Sequence, residues 1–125
     1  MFSTFLFVGL GGALGACSRY LVNVFTMRAF GPGFPMGTLM VNVFGSFLMG
    51  VLVVVLAKKG GTQAAPFLMT GLLGGFTTFS AFSLDTLTLF ERGQISSAAL
   101  YVALSVGLSL GAVVLGVLAT RMVMA

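Results

Sequence analysis

The sequence predicts an all-α membrane protein: four transmembrane helices, the third broken near the bilayer midplane, assembled as an antiparallel (dual-topology) homodimer. Three observations carry that expectation. Of the 125 residues, 58% are hydrophobic and 6% charged, where a soluble domain carries about 25% charged residues. The stretch Gly71–Ser83 (Gly-Leu-Leu-Gly-Gly-Phe-Thr-Thr-Phe-Ser-Ala-Phe-Ser) sets glycines and hydroxyls in the middle of an apolar segment. Finally, the six Lys and Arg residues divide evenly between the two ends of a four-span arrangement.

The expected spans form one transmembrane domain over residues 1–125: 2–25, 36–57, 65–90 broken at 74–78, and 95–121. Phe2 to Ser18 is uncharged and, extended past Arg19 to about residue 25, reaches the roughly 20 residues a crossing needs. Met1–Phe5 has no basic stretch, which makes it a poor secretory signal. The same absence argues against reading Leu14-Gly-Ala-Cys17 as a lipoprotein cleavage site. Gly11, Gly12 and Gly15 supply the small residues that let helix backbones approach closely. Phe30-Gly-Pro-Gly-Phe-Pro is a loop, because its prolines and glycines do not sit in a continuous helix.

Met36 to Ala57 is uncharged and reads as the second helix, with Thr38, Asn42 and Ser46 spaced to share one face. Lys58-Lys59-Gly-Gly-Thr closes it with basic residues where the helix dipole favours them. Pro66 opens the third segment, at a position where proline is tolerated. Gly74 and Gly75 each weaken a helix interior by about 1 kcal/mol relative to alanine. Thr77, Thr78 and Ser80 then offer the backbone local hydrogen bonds in place of the helical ladder. A second half resumes near Phe79 and runs to Phe90, followed by the turn Glu91-Arg-Gly-Gln. Ile95 to Thr120 is the last helix; Tyr101, Ser105 and Ser109 form a second polar stripe, and Gly107, Gly111 and Gly116 thin other faces.

Non-helical backbone at membrane depth survives only when it is buried in protein or lines a wet cavity. Broken helices are also where transporters build ion sites. Four crossings place both termini on one side, with Lys58, Lys59 and Arg121. Arg28 and Arg92 lie on the other, joined by Arg19 if it snorkels outward. Orientation follows the imbalance of Lys and Arg, so a tie predicts insertion both ways round and an antiparallel pair. Four short helices also have little room to enclose a path alone.

The composition excludes several classes. With a single cysteine, Cys17, there is no internal disulfide and no cysteine-built metal site. The lack of histidine removes the commonest general base and metal ligand, so enzyme chemistry is not expected. The basic residues form no patch that would follow a phosphate backbone, so no nucleic-acid partner is expected. Cation channels commonly use carboxylate rings, yet no acid lies centrally in any segment. Asp85 is the one acid inside an apolar segment; it is either functional or paired with a base such as Arg19.

Among the candidates, Asn42 serves either as glue between helices or, with Thr38 and Ser46, as part of a lined path. The hydroxyls of Tyr101, Ser105 and Ser109 are structural or form a track of donors. Phe79 and Phe82 either pack or turn their electropositive ring edges toward an anion. The carbonyls of Gly74 and Thr77 lose their helical partners at the break, and facing copies would suit a small hard cation.

Those residues closely resemble the Fluc (CrcB-type) fluoride channel family. The carrying motifs are Gly37-Thr38-Leu-Met-Val-Asn42 and Gly74-Gly75-Phe-Thr77-Thr78-Phe79-Ser80-Ala-Phe82-Ser83. Gly-Ala-Cys-Ser-Arg19-Tyr in the first segment and Tyr101 with Ser105 and Ser109 in the fourth extend the match over nearly the whole chain. The resemblance implies a passive, fluoride-selective export channel in a bacterial inner membrane. It implies a homodimer with two narrow pores and a structural sodium ion held centrally by the Gly74 and Thr77 carbonyls of both copies. Asn42, Thr38, Phe79, Phe82, Ser83, Tyr101, Ser105 and Ser109 would line the pore, and Arg19 the vestibule. Asp85 stands where the family more often has Glu, and Ala81 where Thr is frequent. A small multidrug-type four-helix exporter is the alternative, but it depends on a carboxylate in the first helix and residues 2–18 have none. A structural membrane subunit without transport is the third reading.

Overall fold

A computed structural model describes residues 1–60 and 63–125. Residues 61–62, within the stretch expected to close the second helix, lie outside the described residues. The described residues form helices joined by short connections: α1 (Phe2–Phe30), α2 (Met36–Lys59), α3, α4 (Phe79–Glu91) and α5 (Ile95–Val123). We use α3 for a π-helical stretch, Pro66–Leu73, together with the single α-helical turn Gly74–Phe76 that continues it. Among the described residues, four segments are long and apolar enough to span a bilayer: Phe2–Phe30, Met36–Lys59, Pro66–Glu91 and Ile95–Val123. This is a multi-pass integral membrane protein.

Boundaries differ in every span from those expected. α2 continues past residue 57 to Lys59, and the third span runs from Pro66 to Glu91 with its break narrowed from 74–78 to 77–78. α1 continues past residue 25 to Phe30, because residues 26–30 hold no glycine or proline; Gly31, at φ 77°, is where it stops. α5 runs past Arg121 to Val123, with the basic side chain in its last turn, where the dipole favours it. The π-helical geometry of Pro66–Leu73 was not expected. Longer-than-one-turn π structure is rare, and here it lies against the glycine face of α1. A Cβ at Gly11 would collide with the Phe67 carbonyl oxygen, and one at Gly15 with that of Leu72. A Cβ at Gly71 would come within 2.8 Å of the Val8 oxygen. Only glycine on both sides permits this approach.

The second packed pair is α2 with α5. Gly50 sits against the Val113 backbone and Gly116 against that of Phe47. Tyr101, fully buried, centres a small apolar cluster with Leu39, Leu89 and Ala98 that ties α2, α4 and α5 together. Gly107 and Gly111, by contrast, face open space.

Candidate functional site: an uncharged groove beside an extended step

Between α3 and α4 the backbone leaves helical geometry for two residues. Thr77 has φ −84°, ψ 156°, and Thr78 has φ −154°, ψ 124°, both extended. The ladder ends in good order: the Thr77 N–H and hydroxyl both donate to the Leu73 carbonyl at 2.9 Å. Thr78 then caps α4, its Oγ1 accepting from the Ala81 N–H at 3.2 Å. The N-cap consists of a threonine immediately before an apolar helical run.

Asn42 on α2 holds this step with both ends of its amide. Its Oδ1 accepts from the Thr78 N–H at 2.8 Å, and its Nδ2 donates to the Thr78 carbonyl at 3.0 Å. In an unbroken helix the Thr78 N–H would serve the Gly74 carbonyl and the Ala81 N–H that of Thr77. Both donors are diverted, to Asn42 and to the Thr78 hydroxyl. The neighbouring Gly75 carbonyl accepts instead from Arg19 Nε at 3.2 Å.

Beside the step lies a groove of about 490 Å³. It brings together Asn42, Ser46, Gly74, Thr77, Phe79, Phe82, Ser105 and Ser109, none of them charged. The Phe79 and Phe82 ring centroids are 5.4 Å apart, and Phe82 lies 5.3 Å from the Tyr101 ring. The hydroxyls of Ser105 and Ser109 are buried with no hydrogen-bond partner among the described residues. Buried polar groups are seldom left so, and two in one groove suit an occupant that accepts hydrogen bonds. The groove is open on one side, where Phe79 is 78% exposed and Gly74 is exposed too.

Four of the expected site residues stand elsewhere. Thr38, one turn before Asn42, lines a second cavity of about 320 Å³ with Asn23, Thr26 and Asp85. Tyr101 connects the two cavities: it stacks on Phe82, and its hydroxyl donates to Asp85 Oδ2 at 3.1 Å. Asp85 therefore does not pair with Arg19, which is engaged 10 residues earlier in the third span at Gly75. Ser83 donates to the Phe79 carbonyl at 3.0 Å and lines a separate groove with Thr86, Phe90 and Val102. Arg19 is half-buried against the α3 backbone. Two participants escaped the sequence reading of the site: the Gly75 carbonyl, which no side-chain pattern reveals, and Asn23, a lone amide on α1. Thr78 was legible as a local backbone partner, and its cap position gave the signal.

Comparison with known proteins gives a consistent result. The family model described as CrcB-like protein, Camphor Resistance (CrcB), matches residues 6–117. The chain is similar to a protein of Cereibacter sphaeroides named fluoride-specific ion channel FluC, 69% identical over 121 residues and covering 97% of each chain. Proteins of the same name from Ruegeria sp. and Paracoccus denitrificans are 60% and 58% identical. Those alignments cover 97% and 94% of each chain.

Proposed function

The chain belongs to the CrcB-like family, and on that premise we propose that it forms a passive, fluoride-selective channel. The observation that carries the reading is the pair of unpartnered Ser105 and Ser109 hydroxyls in a groove without charge. Fluoride is a small, strongly hydrated acceptor, and hydroxyl donors and phenyl edges replace its water without fixing it by a formal charge. Phe79 and Phe82 flank that track, and Tyr101 leads from Phe82 toward Asp85 and Thr38. The relatives named as fluoride channels support this over a multidrug-type exporter, which would also need an acid absent from residues 2–18.

The reading extends to two oppositely inserted copies meeting at the extended step, set near the bilayer midplane, in a bacterial inner membrane. The open side of the groove supports it, since one copy leaves Phe79 and Gly74 uncovered. The Gly74 and Thr77 carbonyls fit a sodium ion at that junction, because their helical donors are diverted and hard cations take oxygen ligands. Bound there, sodium would offset the charge of carbonyls facing one another across the pair. Purified protein in liposomes tests the reading. Fluoride should leave down its gradient without a proton gradient, and Phe82→Ile should lower efflux at least tenfold while the pair still forms. Vesicles made with sodium replaced by a large organic cation should lose efflux. Undiminished flux in the variant removes Phe82 from the path, and undiminished flux without sodium removes the ion from the assembly.

A further inference from the structure

We propose that Arg19 is a positioning residue whose Nε–H stands in for the helical donor that the Gly75 carbonyl loses at the extended step. In a continuous helix that carbonyl would accept from the N–H of Phe79. Phe79 instead begins α4, beyond two extended residues. Left alone, a carbonyl within a membrane span is costly. Arg19 Nε reaches it at 3.2 Å.

That reach is prepared by the helix carrying Arg19. Gly11, Gly15 and Arg19 follow one another at four-residue spacing and share a face of α1. A side chain at Gly15 would strike the Leu72 carbonyl oxygen, with Phe76 N at 2.8 Å. One at Gly75 would meet the Gly12 oxygen at 2.6 Å. The glycines bring the two backbones together, and one turn later the arginine is delivered to the carbonyl at the end of α3. An intramembrane arginine bonded to a backbone carbonyl is a recognised arrangement for such a charge. Here the hydrogen bond, not the charge, is the feature the step requires.

Side-chain length separates the two. Gln Nε2 lies as many bonds from Cα as Arg Nε, so Arg19→Gln keeps a donor in place and removes the charge. Arg19→Met keeps the length and removes the donor, whereas Arg19→Lys keeps the charge with its nitrogen one bond further out. Labelling with carbonyl-¹³C glycine and ¹⁵N phenylalanine selects Gly75–Phe76 and Gly33–Phe34 alone. Gly33→Ala assigns the pair. The Gly75 carbonyl resonance should be preserved in Arg19→Gln and move upfield in Arg19→Met. The proposal rests on the channel reading only for its second readout, fluoride efflux. Efflux should stay within about threefold in Arg19→Gln and fall roughly tenfold or more in Arg19→Met, with Arg19→Lys below Arg19→Gln. If Arg19→Met does not fold, the Gln and Lys variants decide. Efflux kept by Lys and lost by Gln, or a Gly75 resonance unmoved in all variants, overturns the proposal. A wild type without fluoride flux would sink the channel reading and leave the resonance to judge Arg19.

Discussion

At the scale of single residues, Asn42 does two things that one side chain rarely combines. It lines the groove, and it holds Thr78, one of the two extended residues of the third span, by both its N–H and its carbonyl. The spacing of Thr38, Asn42 and Ser46 was legible, but the stripe divides: Asn42 and Ser46 face the groove and Thr38 the cavity of Asp85. A face shared along one helix does not say which neighbour it meets. Asn42→Ala removes both bonds and leaves the Thr78 N–H without its acceptor, a loss of about 1–3 kcal/mol for a buried donor. Asn42→Asp keeps an acceptor for that N–H but turns a second oxygen toward the Thr78 carbonyl. Both variants should lower the denaturation midpoint and cut fluoride efflux at least tenfold. An Asp variant that conducts like wild type would show that the bond to the carbonyl is dispensable.

At the scale of elements, the interface of α1 and α3 decides where the groove lies. The glycines of α1 announced a close approach, and Gly74-Gly75-Phe-Thr-Thr announced an irregular backbone. The π-helical turns of Pro66–Leu73 were not legible, since the same side-chain spacing serves an α-helix and the wider turn depends on what lies alongside. Likewise, Gly74 and Gly75 remain helical and only Thr77 and Thr78 are extended. Neither glycine has a special dihedral; Gly75 is there for proximity to α1, whereas a Cβ at Gly74 would meet only the Met69 oxygen, at 3.6 Å. Gly75 lies against the Gly12 backbone at distances no side chain would allow. Gly15→Ala places a methyl onto the Leu72 carbonyl oxygen and beside Phe76 N, so the helices must separate by more than a side-chain adjustment. Overpacking against backbone typically costs about 1–3 kcal/mol, and it would carry Arg19 away from Gly75. The expected result is a lowered midpoint together with reduced efflux. Gly9→Ala, where nothing lies within 4 Å in the chain, is the matched control and should raise the midpoint, since alanine is the better residue in a helix interior. A Gly15→Ala protein as stable as that control would mean the approach is not required.

At the scale of the whole molecule, the position of Arg19 changes the orientation argument. Held at Gly75, it no longer counts as an interfacial charge, leaving Lys58, Lys59 and Arg121 at the end with the termini and Arg28 and Arg92 at the other. A difference of one is a weak bias. Lys58 donates to the Met124 carbonyl at 3.2 Å and Arg92 to that of Pro32 at 3.3 Å, and both keep their charge in that balance. So small an imbalance supports the proposed insertion both ways round. The same even balance suits a pair of opposed copies that close each other's grooves over Phe79 and Gly74. Lys59→Cys, in a background of Cys17→Ser, places one thiol at the end carrying the termini. A membrane-impermeant maleimide applied to sealed cells should label close to half of the protein, and permeabilisation should expose the rest. Complete labelling, or none before permeabilisation, would mean a single orientation. In that event the groove would need a different cover, and the fit of sodium to facing Gly74 and Thr77 carbonyls would lose its basis.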